Sequence, residues 1–211
     1  IWPARMDVAQ GEKGAALYRK ALENDPNHFE AAWKLSRNLC WVAEHVKGDK
    51  RLKAATEAVE AAKKAVELRP DDPAGYFFLG LSYGYYGEAK GFLKTMFLAK
   101  PIEEAFNKVL ELDPTYQCGG AYVALGRGYY FLPGYMDRAV EYYRKAMDIC
   151  PLVFGAHLFL AQAYIKKGRK EEARALLNRI LEGPSEPGWE PEYKEWREEA
   201  EYYLIKVREM K

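Results

Sequence analysis

The stretch that decides the fold runs from Ala139 to Ala173 and reads AVEYYRKAMDICPLVFGAHLFLAQAYIKKGRKEEA. Small and aromatic residues recur at helical spacing from Ala139 to Ala146, and Pro151 marks the end of that helix. A second helix follows and ends at Gly168. The pattern then restarts, because Ala173 lies 34 residues after Ala139. The sequence therefore predicts repeated helix pairs in which alanine allows close contact between helices.

The same pattern extends outward from this stretch over the rest of the chain. Prolines that end helices recur throughout, at Pro26, Pro70, Pro114 and Pro151. They predict five repeats and a closing helix, at about residues 5–26, 27–70, 71–114, 115–151, 152–183 and 191–210. The predicted fold class is all-α: one domain over residues 1–211, an α-solenoid of antiparallel helix pairs with a C-terminal capping helix.

Two repeats are longer than the others. Their proline interval is 44 residues, and the spacing of the inner residues places ten extra residues at the tip between the paired helices. Four glycines recur at helical spacing in the second tip: Gly80, Gly84, Gly87 and Gly91. They predict close helix packing, a break near Gly87 or Gly91, or a smooth wall beside a ligand. Pro101 is predicted to start a new helix.

Two sets of residues are candidates for binding a ligand or partner. The first set occupies one equivalent groove position in successive repeats: Arg37, Leu81, Arg127 and Gln162. Arginine can hold a carboxylate with two hydrogen bonds, so Arg37 and Arg127 are expected to bind an anionic group in a common groove. The alternative is that each arginine pairs with a nearby glutamate. The second set is expected to form an apolar surface or channel at the inserted tips: Trp41, Tyr85, Tyr86, Phe92 and Phe97.

The sequence lacks the patterns of catalysis and metal binding. None of its three histidines lies in an HExxH motif, and its three cysteines lack metal-ligand spacing. It also lacks a phosphate-binding loop and a GxGxxG after a strand. We therefore expect no catalytic residues, no metal and no cofactor, and a protein that is not an enzyme.

Charge and hydropathy exclude further classes. With 32 basic and 31 acidic residues, the net charge of +1 gives no electrostatic reason to expect nucleic acid or an anionic membrane as partner. The longest uncharged runs have 15 residues, and a membrane span needs about 18 or more apolar residues, so no transmembrane segment is predicted. No signal-peptide pattern is present at Ile1, but a processed start would look the same, so the compartment stays undetermined.

Nearly the whole chain resembles the tetratricopeptide repeat (TPR) pattern. Between Lys100 and Leu181 the order EEAFNKVLELDPTY, GG, ALGRGYY, LPG and AVEYYRKAMDICP is similar to TatT-like proteins, TPR components associated with TRAP transporters. This resemblance implies a helical, non-enzymatic protein outside the cytoplasmic membrane, often a lipoprotein. It also implies association with a periplasmic substrate-binding protein, trimers and a path for a hydrophobic ligand. A lipobox cysteine is missing from the sequence, which puts anchoring and location in doubt; without the resemblance a cytoplasmic location is expected.

The two long repeats also resemble the regulator-of-microtubule-dynamics family, which is TPR-like as well. The LPG and GG features favour the TatT-like proteins, so the resemblance to the regulator-of-microtubule-dynamics family ranks second. The lysines and asparagines of a chaperone-type carboxylate clamp are not reproduced. The predicted function is a non-enzymatic scaffold for protein–protein interaction, specifically a TatT-like accessory of a TRAP-type transport system. The alternative is a carrier for a small hydrophobic or amphipathic carboxylate.

Overall fold

The protein is all-α over the residues described by the computed structural model, which are 8–152, 154–184 and 190–209. The helices are α1 (Val8–Asn24), α2 (Phe29–His45), α3 (Gly48–Leu68), α4 (Pro73–Lys90), α5 (Phe92–Leu112), α6 (Tyr116–Tyr130), α7 (Met136–Ile149), α8 (Phe154–Lys166), α9 (Lys170–Glu182) and α10 (Glu190–Glu209). The predicted fold class of TPR-like helix pairs is confirmed. The predicted ends at residues 5–7 and 210 lie outside the described residues.

Contacts divide the chain into two compact units, residues 1–116 and 117–211, called here the N-terminal and the C-terminal unit. In the N-terminal unit, the alanine-rich helix α3 lies against both α2 and α4. Ala65 is fully buried. A Cβ atom at Gly75 of α4 would lie 3.0 Å from the backbone nitrogen of Val66, so the two helix backbones nearly touch. The small residues of the repeat are therefore what allows these helices to cross closely.

The C-terminal unit has its own core of large side chains. Tyr143, Phe154, Leu158, Leu177 and Ile180 are each at most 1% exposed. Ala146 is also fully buried, and a Cβ at Gly119 would lie 3.4 Å from its Cα atom, which confirms the predicted tight contact there. α6 begins with a left-handed turn in which the φ angles of Gln117, Cys118 and Gly119 are 51°, 53° and 70°. Because of this turn, the buried residues of α6 come later after Pro114 than the buried residues of α4 come after Pro70.

One predicted helix start is wrong. Pro101 does not start a helix: it lies inside α5, which begins nine residues earlier at Phe92. α4 and α5 touch on both sides of the proline, since Gly87 approaches Thr95 and Gly80 approaches Phe106. We attribute the continuous helix to this packing, which offsets the hydrogen bond that proline cannot donate.

The glycines of α4 serve two purposes. Gly80 and Gly87 allow close packing against α5, with would-be Cβ atoms 2.7 Å from the Phe106 ring and 3.0 Å from the Thr95 Cα atom. The chain turns at Gly91, between α4 and α5, and the φ angle of 99° at this residue favours glycine. Gly84 has no neighbouring side chain or other helix within 4 Å of a Cβ position. Packing and a break, two of the readings left open by the sequence, thus explain three of the four glycines.

Candidate functional site

The four groove-position residues lie on the first helices of their pairs, in two different units. Arg37 of α2 is half-buried, and its guanidinium carbon lies 5.0 Å from the centre of the Trp33 indole. Leu81 of α4 is half-buried and packs on the core of α2 and α3. Arg127 of α6 is exposed and Gln162 of α8 is half-buried. Arg37 and Leu81 belong to the N-terminal unit, and Arg127 and Gln162 to the C-terminal unit.

In the C-terminal unit, α6 and α8 exchange two cation–aromatic contacts. The guanidinium carbon of Arg127 lies 4.9 Å from the centre of the Phe159 ring on α8. In the reciprocal contact, Nζ of Lys166 on α8 lies 3.7 Å from the centre of the Tyr130 ring on α6. Both distances are within the range of favourable cation–π interaction. We call these four residues together with Gln162 the cation–aromatic face.

The helical period explains why these side chains share one face. Arg127 and Tyr130 are three residues apart on α6, and Phe159, Gln162 and Lys166 follow at intervals of three and four on α8. The opposite sides of both helices are buried: a Cβ at Gly126 would lie 2.6 Å from the Tyr143 ring, and Leu160 and Ala161 are at most 2% exposed. The core thus fixes both helices, and the exposed cations remain above rings on the facing helix.

Two phenol groups interact electrostatically with residues of this face and stay protonated at neutral pH. Burial raises the pKa of the Tyr143 phenol, while the nearby charge of Arg127 opposes that rise. Burial also raises the pKa of Tyr203 on α10, and the carboxylate of Glu199 adds to this rise. The face therefore combines two fixed positive charges with aromatic surfaces. Such a combination suits a ligand that carries a carboxylate beside an apolar group.

The predicted aromatic set of the inserted tips is only partly brought together. Trp41 is 7% exposed, its ring packs under Gly11 of α1, and it lies 3.6 Å from the His45 ring between centres. Tyr85 and Tyr86 are half-buried and pack on the core of α2 and α3. Phe97 is 79% exposed. The side chain of Phe92 lies outside what the structure describes.

Sequence reasoning missed part of what the structure places at the surface. It did not select Tyr130, Phe159 and Lys166, although the spacing of α8 alone could have placed the last two beside Gln162. The sequence does group Leu93 and Met96 with Phe97 in one apolar cluster at the insertion, but the candidate set leaves them out, and both are exposed on α5. Their i, i+3, i+4 spacing was the available signal.

Within the described ranges, no cluster of three or more His, Cys, Asp or Glu side chains is arranged to hold a metal ion. No helix in the same ranges has the length and apolar character of a membrane span.

Helix pairs with small residues at their crossings define the class of TPR-type helical-repeat proteins, and a tetratricopeptide repeat model matches residues 134–193. The model of the family named regulator of microtubule dynamics protein 1-3 matches residues 4–130, more than half of the chain. The chain belongs to the regulator of microtubule dynamics protein 1-3 family. The sequence alone had ranked this resemblance second.

Solved TPR structures share the fold. The thermophilic TPR protein TTC0263 of Thermus thermophilus is 20% identical, with a TM-score of 0.68 over 89% of this chain and 91% of that one. MamA is 25% identical, with a TM-score of 0.55 over 86% and 88% of the two chains. YrrB, described as a TPR protein with an unusual peptide-binding site, is 20% identical, with a TM-score of 0.54 over 93% of each. No curated protein matches the sequence at a significant level.

Proposed function

We propose that this protein is a non-enzymatic scaffold that binds a protein partner through the cation–aromatic face of its C-terminal unit. The observation that carries the proposal is the reciprocal pair of contacts in which Arg127 and Lys166 are held over Phe159 and Tyr130. Helical-repeat proteins use their extended surfaces for binding, and membership of a TPR-like family supports this class of function.

The chemistry of the face specifies the partner segment. Two cations over rings favour a segment with acidic side chains or a C-terminal carboxylate, because a guanidinium or ammonium donates charge-assisted hydrogen bonds to carboxylates. The rings of Phe159 and Tyr130 add apolar contact area at low cost in side-chain entropy. The partner segment is therefore acidic with at least one apolar or aromatic side chain.

The test is site-directed photocrosslinking. A photoreactive phenylalanine at Gln162 is expected to crosslink one partner, whereas the same group at Ala175, an exposed position on α9, is not. Arg127→Gln and Lys166→Gln should each weaken binding of that purified partner about 10- to 100-fold, since a charge-assisted contact contributes about 1.5–3 kcal/mol. Arg174→Gln and Lys194→Gln remove equal charge from α9 and α10 and should leave the affinity unchanged. Equal effects of both pairs would reject the face as the site.

The narrower role, an accessory of a TRAP-type transport system, is supported only by the resemblance between Lys100 and Leu181. It predicts that the protein co-elutes with a periplasmic substrate-binding protein and forms trimers in solution. A monomer that binds no such protein would reject it.

A carrier for an amphipathic carboxylate is the second candidate, since a carboxylate with an apolar tail also fits the cation–aromatic face. Calorimetry with a fatty carboxylate tests it, and Arg127→Gln should weaken that binding. Arg37→Gln and the double variant with Arg127→Gln test the prediction that the two arginines act on one ligand. If they do, the losses of binding free energy in the two single variants should not simply add up to the loss in the double variant.

A further inference from the structure

Three large apolar side chains project from the tip of the N-terminal unit. Leu93, Met96 and Phe97 of α5 are 73%, 59% and 79% exposed. Their spacing of i, i+3 and i+4 places them on one face of the first two helical turns, directly after the turn at Gly91. Single exposed apolar residues are ordinary, but three large ones on one helix face mark a surface that is covered in use. We call these three residues the apolar tip.

The apolar tip lies in a basic environment. From Ala89 to Ile102 the chain has no acidic residue and carries Lys90, Lys94 and Lys100. Lys90 and Lys94 are exposed. Nζ of Lys100 lies 3.6 Å from Oε1 of Glu104, one turn further along α5. The lysines therefore surround the apolar side chains with positive charge.

The other inserted tip adds to this charge. The turn between α2 and α3 lies beside the end of α4, where Arg51 forms an ion pair with Glu88. Residues 47–49, 51 and 52 and the last turn of α4, at Glu88 and Ala89, line one surface cleft. Residues 44–53 and 88–104, a range that includes the partner of Lys100, together hold seven Lys or Arg and five Asp or Glu residues, a net charge of +2. The rest of the chain has a net charge of −1, so the positive charge is concentrated where the two tips meet.

We propose that the two tips form a docking surface for an anionic lipid membrane, with Leu93 and Phe97 inserted between the lipid headgroups. Lysines around an inserted apolar face can contact lipid phosphates while their carbon stems lie along the apolar region. Charge complementarity favours anionic lipid over a neutral surface. A long helical partner fits less well, because the apolar stripe spans only residues 93–97 before Lys100, less than the several turns of a helix-binding groove.

The docking surface and the cation–aromatic face lie in different units, so this proposal does not depend on the proposed function. It is tested by flotation of the full chain with vesicles. The lipids are phosphatidylcholine alone, or phosphatidylcholine with one quarter phosphatidylglycerol. We expect binding to the anionic vesicles only, and loss of binding at high salt.

Variants separate the two contributions. Lys90→Gln, Lys94→Gln and Lys100→Gln together should lower the partition coefficient about 100-fold, at roughly 1 kcal/mol for each lysine. The double variant Leu93→Ser and Phe97→Ser should lower it about tenfold or more. The matched controls are Lys13→Gln, Lys20→Gln and Lys63→Gln together, all exposed elsewhere on the N-terminal unit, and Phe131→Ser, where the ring is 72% exposed on the C-terminal unit. These controls should bind like the parent protein.

A second measurement locates the inserted residue directly. Phe97→Trp should add fluorescence that brominated lipids quench in anionic vesicles, and Phe131→Trp should not. The proposal is overturned by equal binding to neutral and anionic vesicles, by no binding to either, or by tip variants that bind as well as their controls. A partner protein that protects the apolar tip in the absence of vesicle binding would also overturn it.

Discussion

At the residue scale, the packing depends on glycines that make room for a ring on the paired helix. A Cβ at Gly126 would lie 2.6 Å from Tyr143, and one at Gly80 would lie 2.7 Å from Phe106. Tyr143 and Phe106 are at most 2% exposed, so neither ring can move into solvent. Glycine on the first helix of each pair thus leaves out the methyl group that alanine would carry. The aromatic ring of the second helix occupies that space.

The first prediction concerns Gly126. Gly126→Ala should lower the free energy of unfolding by about 1–3 kcal/mol, because the added methyl group overpacks the contact with Tyr143. Its control is Gly128→Ala, where a Cβ meets nothing within 4 Å and alanine should instead stabilise the helix by about 0.5–1 kcal/mol. Urea denaturation followed by circular dichroism measures both. Equal shifts in the two variants would contradict the packing argument.

Ala146 is the second position where the residue scale makes a prediction. Ala146→Leu should cost about 1–3 kcal/mol, because the Cα atom of this buried alanine faces the backbone of Gly119. Ala175→Leu, at an exposed position of α9 in the same unit, should change stability by less than about 0.5 kcal/mol. Thermal denaturation gives the melting temperatures of both variants. An unchanged melting temperature for Ala146→Leu would count against the repeat alignment that places this residue at a close helix contact.

At the scale of the element, α5 shows how packing overrides a local signal. Proline normally ends or kinks a helix, yet α5 continues from Phe92 to Leu112 with Pro101 in its interior. Contacts with α4 at Thr95 and Phe106 hold the helix on both sides of that residue. The inserted tip is therefore a helical extension rather than a loop, and this places Leu93, Met96 and Phe97 on one rigid face.

The third prediction is that Pro101→Ala stabilises the protein. Alanine restores an N–H that can donate to the carbonyl of Phe97, and proline costs about 3 kcal/mol in a helix interior. Removing the proline also raises the conformational entropy of the unfolded chain, which lowers the free energy of unfolding by up to about 1 kcal/mol. The net increase in the free energy of unfolding should therefore be about 1–2 kcal/mol. Pro73→Ala serves as control, because Pro73 lies in the first turn of α4, where a missing N–H costs little. A loss of stability in Pro101→Ala would show that the proline is required.

At the scale of the whole molecule, each of the two units has a separate hydrophobic core. The N-terminal unit buries an alanine-rich core around α3, including Ala55, Ala58 and Ala62. The C-terminal unit buries larger side chains, with Phe154, Leu158 and Leu177 at its centre. Because each core lies within one unit, each unit contains the apolar surface that it needs to fold.

The fourth prediction is that each unit folds alone. Fragments 1–116 and 117–211 should each give the circular dichroism spectrum of an α-helical protein and unfold cooperatively in urea, because each buries its own core. The full chain provides the reference spectrum. If a fragment gave a coil spectrum, its core would have to include side chains of the other unit.

The sequence by itself determined the repeat and the residues at its closest contacts. Helical periodicity shows which face of each segment is apolar, so the helix pairs and the close helix contact at Ala146 could be predicted without a structure. Family resemblance was also readable from the residues, and the resemblance that the sequence ranked second is the one that a family model matches over more than half of the chain.

The tertiary structure alone decided which side chains from separate segments meet. Trp41 was predicted to contribute to an apolar surface or channel, and the structure places it under α1 beside Gly11. Nothing in its own helix shows that Gly11 leaves space for an indole ring. The pairing of Lys166 with Tyr130 depends on the position of α8 beside α6. The net charge of +1 likewise concealed the basic end of the N-terminal unit. Local periodicity specifies the faces of a helix, but the element that covers a face is set by contacts far apart in sequence.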